Sequence, residues 1–190
     1  MGSPTLRFAP GACIALVAIF ALVFAPGVRA GGAPPRLRPG AIEIGLAGSL
    51  VSVAGSARTT LALRGGGFRT AGPGLGGFEV ELGYNHVQSL DTVELQGNVS
   101  WQHAAGSVHP FVALGGGVRQ ETLGSFSQAR YPVGFAFGMR SLFGARAAFR
   151  IEYRYRRLLN DPVADFTEHH TWVGFSILLR NSERPTRGEE

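Results

Sequence analysis

Lysine is absent from this 190-residue chain, so all 18 of its basic residues are arginine. Cysteine is nearly absent too. The single copy, Cys13, lies in the N-terminal apolar stretch, so the rest of the chain can form neither disulfides nor thiolate metal sites. No segment after residue 40 carries the spacing of an amphipathic helix, which removes helix-based nucleic-acid recognition. The net charge of +5 would otherwise invite that reading, but the charged residues alternate with apolar ones along the strands and form no basic helix face. Long apolar runs are also missing, with one exception. Ala12–Ala25, "ACIALVAIFALVFA", is an apolar run of 14 residues, short against the ~20 that a spanning helix needs. Arg7 precedes it, and "PGVRA" follows, with Val28 and Ala30 at the −3 and −1 positions of a cleavage site. Residues 1–30 therefore read as a secretory signal peptide.

The remainder is organised by a period of two. Residues 31–40, "GGAPPRLRPG", form a Pro/Gly-rich lead-in. Residues 41–181 hold eight alternating runs separated by turn signals, and 182–190 form a polar tail. The runs fall at about 41–53, 58–69, 77–86, 91–103, 108–120, 130–143, 145–158 and 169–181. The phase of the second is ambiguous across Gly65–Gly67, where a bulge would fit. A loop is expected over 121–129 and an acidic one over 159–168. An exported chain without disulfides needs another closure. Eight antiparallel strands joined up-and-down supply it by forming a closed barrel, which leaves no open edge.

The faces decide the solvent. The apolar side carries bulky residues such as Phe78, Leu82, Phe135, Phe137 and Phe175, too large to fill an eight-stranded interior together. The other side mixes glycine, alanine and serine with charges of both signs. Such a chain is an all-β transmembrane barrel, apolar outside and polar inside. Its expected lumen is an ion-pair network of Glu43, Glu79, Glu81, Glu94, Arg119, Arg140, Arg146, Arg150, Glu152, Arg154 and Arg156. Buried charges require such pairing, and the planar guanidinium suits it. With both termini periplasmic, Tyr84, Tyr131, Tyr153 and Tyr155 fall towards the outer interface. Trp101, Phe143 and Phe149 fall towards the periplasmic one.

"HPFVALGGGV" (109–118), "FRIEYRY" (149–155) and "TWVGFSILL" (171–179), together with the signal peptide, resemble the small eight-stranded OmpA/OmpX/OmpW-like outer-membrane barrels of Gram-negative bacteria. The resemblance spans roughly residues 40–181. It implies an outer-membrane location and partners among outer-membrane lipid, lipopolysaccharide and the outer-membrane assembly machinery. The implied role is in envelope integrity or surface interaction, by a monomer without cofactors. A narrow conduit for small solutes or hydrophobic molecules is the alternative. Family members often end at a terminal aromatic residue; here a polar tail follows Leu179 and Arg180.

Some barrels of this shape are lipid A deacylases, with a pattern like "YRYxHxSN" at a late strand end. Here the matching stretch, Tyr153–Asn160, places Arg157 at the histidine and Leu159 at the serine, and keeps only Asn160. Neither substitute can act as nucleophile or base, so no catalytic residue is expected. His169 and His170 lie near Asp165 and Glu168, but neighbours on a strand point to opposite faces, which disfavours a shared metal. "RGGGFR" and "LGGGVR" lack the helix and the Lys-Ser/Thr pair of a phosphate loop, and read as strand glycines.

Overall fold

The computed structural model describes residues 35–53, 56–87, 89–103, 106–160 and 167–181. The signal-peptide region, residues 182–190 and Asp165 lie outside them. The strands are β1 (Ile42–Val53), β2 (Ser56–Ala71), β3 (Gly74–Val87), β4 (Leu90–His103), β5 (Val108–Leu123), β6 (Phe126–Phe143), β7 (Ala147–Leu159) and β8 (Thr167–Leu179). Each pairs antiparallel with its sequence neighbour, and β8 returns to β1, so the sheet is a closed up-and-down barrel. Closure satisfies every edge within the sheet, as a strand-built membrane span requires.

Alternation maps onto the two sides of the wall. Leu46, Leu61, Phe78, Val99, Leu114 and Phe175 are exposed on the outside, whereas Glu81, Gln96, Arg140 and Glu152 are buried inside. The apolar residues thus lie where lipid would solvate them, and the polar ones where water is excluded.

Three expectations are corrected. The β1–β2 and β2–β3 ladders run without interruption through Gly65, Gly66 and Gly67, so no bulge shifts the phase there. The expected 121–129 loop is mostly strand: β5 and β6 continue to Leu123 and Phe126, which pair across a turn at Gly124 with φ of 58°. Phe149 stands in the outward phase of β7 but is only 6% exposed, its ring 5.1 Å from that of Phe175.

The end of the barrel nearest the termini is sealed. Leu37 of the lead-in is buried with Ala41, Phe68, Leu75, Leu142, Ala148 and Leu178. Asn181, just past β8, fastens it: the Arg38 amide donates to Asn181 Oδ1 at 2.9 Å. Asn181 Nδ2 donates to the carbonyls of Arg36 and Ala145, at 3.2 and 2.9 Å.

Candidate functional site: the charged lumen

Inward positions on all eight strands bring six arginines and six glutamates together in three tiers. Nearest the sealed end, Arg140 pairs with Glu43 at 2.8 Å and with Gln102, and Ser176 donates to Glu43 at 2.5 Å. Arg150 completes this tier through Glu79, at 2.5 Å. In the middle, Arg64 meets Glu81 at 2.7 Å and Glu152 at 3.0 Å. Arg154 meets Glu81 at 2.7 Å and Glu152 at 2.5 Å, and donates to Gln96 at 2.8 Å. Glu152 also reaches down to Arg150 at 2.5 Å, joining the two tiers. In the outer tier Arg119 grips Glu168 in a two-pronged contact, both prongs 2.7 Å, and Glu94 at 2.8 Å. Arg156 bonds to Glu94, to Glu168 at 3.1 Å and to His170 at 2.7 Å.

Each tier holds two arginines and two glutamates, so none carries net charge. Neutrality tier by tier matters because an unpaired ion in such surroundings costs several kcal/mol. Rings pack against the arginines within the two inner tiers. The Arg64 and Arg154 guanidiniums both stand over the Trp172 ring, 4.8 and 4.9 Å from its centroid. The Phe111 ring meets Arg140 and Arg150 in the same way, at 5.6 and 4.5 Å. These contacts are cation–π in geometry and strengthen when desolvated.

Of the eleven expected lumen residues, the structure brings ten into this network. Arg146 is the exception: it is exposed in the three-residue turn between β6 and β7. Two members were missed. Arg64 was legible by counting from Leu61 and Leu63, but the three glycines that follow obscured the phase. Glu168 falls within the expected 159–168 loop, but β8 begins at Thr167, and Glu168 shares parity with His170 and Trp172. Among the expected interface aromatics, Tyr84, Trp101, Tyr131 and Phe143 are exposed on the outer wall. Tyr153 and Tyr155 are half-buried there beside His169, to which the Tyr153 hydroxyl bonds at 2.5 Å. His169 faces outward and His170 inward, and among the described residues no group of three or more His, Asp or Glu side chains could hold a metal ion.

Two small cavities lie among the described lumen residues. A cavity of about 30 Å³ lies in the outer half, between Trp172 and the partly exposed Thr60, Thr92 and Glu121. A second, of about 10 Å³, lies beside Glu79 and Arg140. Together they hold about three water molecules. Of the middle tier, Glu81 lines the outer cavity, beside Trp172. Arg157 and Leu159 are exposed on the outer wall, and Asn160 turns the chain with φ of 62°.

A closed eight-stranded barrel with these two faces defines the class: a transmembrane β-barrel of the outer-membrane kind. No family model and no curated protein matches the chain. Solved structures do. The chain is similar to Neisserial surface protein A (13% identity, 77% of this chain and 99% of that one, TM-score 0.52). It is similar also to the N-terminal β-barrel domain of Pseudomonas aeruginosa OprF (11%, 74% and 98%, 0.55) and to the outer membrane enzyme PagL (12%, 71% and 98%, 0.51). At these identities the likeness is one of fold.

Proposed function

We propose that the protein is an integral outer-membrane barrel, monomeric and non-enzymatic, with a closed lumen. Its role is to support the envelope or to present its outer rim. The observation that carries this reading is the inversion of faces: exposed bulky apolar residues surround a core of matched arginines and glutamates. Such a core stabilises a barrel that is surrounded by lipid, and it occupies the path a solute would take. The non-enzymatic part rests on Arg157 and Leu159, which offer neither a base nor a nucleophile where the deacylase pattern has a histidine and a serine.

Fractionation tests the location. The protein is expected with the outer membrane, and its gel mobility should shift on boiling, as a folded barrel opens. Recovery as a soluble periplasmic protein would invert the face assignment. Loss of an acyl chain from lipopolysaccharide incubated with the pure protein would show that it is an enzyme after all.

A further inference from the structure

The sealed end of the barrel carries an arc of positive charge that the lumen does not use. Arg36 and Arg38 lie in the lead-in, Arg69 near the end of β2, Arg146 in the β6–β7 turn and Arg180 after β8. Arg36, Arg69, Arg146 and Arg180 are exposed and Arg38 is half-buried. Because β8 pairs with both β7 and β1, these positions follow one another round the rim from β6 to β2. Among the described residues no acidic side chain stands at this end. The nearest, Glu43, is inside the wall and committed to Arg140 and Ser176. The opposite rim is mixed in sign, with Asp91 and Glu121 against Arg130 and Arg157.

Local backbone and register place two members of the arc. Arg180 has φ of 57°, which turns the chain off β8 so that Asn181 tucks beneath the barrel while Arg180 stays outside. Arg69 is in the outward phase of β2 and shares a cross-strand row with Gly76 and Trp101. Trp101 reaches across the small residues there, its Nε1 donating to the Ala71 carbonyl at 3.2 Å. A side chain at Gly74 would meet that indole at 2.9 Å, so the glycine makes room for it. Trp101 and Phe143 mark the lower edge of the apolar wall, and the arginines lie at or just beyond it.

We propose that this arc binds the anionic headgroups of the lipid leaflet next to the sealed end, phosphatidylglycerol being the representative chemistry. Lipid is favoured over the cell wall because the arginines sit on short turns at the edge of the apolar band. Headgroup phosphates there fall within the ~8–10 Å over which such charges act, whereas short turns cannot reach a polymer lying farther below. The inference rests on the membrane-spanning reading above.

The chain's two tryptophans make the test specific, because Trp172 is buried in the lumen and Trp101 alone faces lipid. The full mature chain is folded into phosphatidylcholine vesicles containing a minor fraction of brominated phosphatidylglycerol or, separately, of brominated phosphatidylcholine. Preferential binding should make the anionic lipid quench Trp101 as if it were about fivefold enriched. The excess should disappear in the Arg69→Gln, Arg146→Gln, Arg180→Gln triple variant and shrink for the unmodified protein at 0.5 M salt. Heat-modifiable migration checks that the variant is folded. Equal quenching by the two lipids, or an excess indifferent to both the arginines and salt, would overturn the proposal. So would arginine-dependent sedimentation with purified cell wall alongside equal quenching. A barrel that failed to insert would be quenched by neither lipid, which separates that failure from this one.

Discussion

Replacing Glu152 by alanine should lower the stability of the barrel, measured by urea unfolding in lipid vesicles, by about 3–5 kcal/mol. Glu152 is 2% exposed and holds Arg64, Arg150 and Arg154 at once, two of them at 2.5 Å. Among the described residues no other carboxylate pairs with arginines of both the middle and the innermost tier. Without it Arg64 and Arg154 are left to share Glu81, and the lumen keeps an uncompensated positive charge. The cost comes from that charge and not from lost packing alone, which gives the prediction a second arm. Adding Arg154→Met to the Glu152→Ala variant restores neutrality, leaving Arg64 on Glu81 and Arg150 on Glu79. The double variant should therefore recover more than half of the loss. A double variant as unstable as the sum of its parts would show that the tiers are held by shape instead of charge.

The second large effect lies in the wall. Gly138 on β6 is the cross-strand partner of Glu152 on β7. A β-carbon at Gly138 would collide with the Ile151 carbonyl oxygen and stand 2.8 Å from the Glu152 Cα, both backbone atoms. Valine at 138 can be accommodated only by parting the β6–β7 seam, and a barrel with a parted seam has open edges in lipid. The Gly138→Val variant should lose about 4 kcal/mol or more, a thousandfold in the folded ratio, read as loss of the heat-modifiable band. Gly97→Ala is the control. A β-carbon there meets nothing within 4 Å, and the change should leave folding intact.

How much of this was legible beforehand depended on whether a signal was local. On β7, "FRIEYRYRR", the alternation alone separates Ile151, Tyr153 and Tyr155 from Arg150, Glu152, Arg154 and Arg156, and no tertiary information is needed. Eight such runs in series define the barrel. The misreadings share a cause: the alternation was lost or cut short. At Gly65–Gly67 there are no side chains to carry the phase, so Arg64 was overlooked. At Arg146 the alternation of β7 was extended backwards into a turn, where parity means nothing. Over 121–129 polar residues suggested a loop, yet a strand that rises clear of lipid is also polar on both faces. Glu168 was hidden by the acidic segment it borders. Which carboxylate meets which arginine depends on register and stagger between distant strands, as in Arg140 with Glu43 or Arg119 with Glu168. Nothing in a single chain's pattern encodes that matching.

The central claim is that matched charges and an apolar seal close the lumen. Current across a planar lipid bilayer containing the purified protein tests it most directly. The mature protein is expected to give no steady ion conductance. A variant lacking residues 31–40, and so Leu37, should still conduct little, because the three ion-pair tiers remain. Sustained single-channel openings from the unmodified protein, reproducible across preparations and insensitive to removing the seal, would contradict the account and make the barrel a pore.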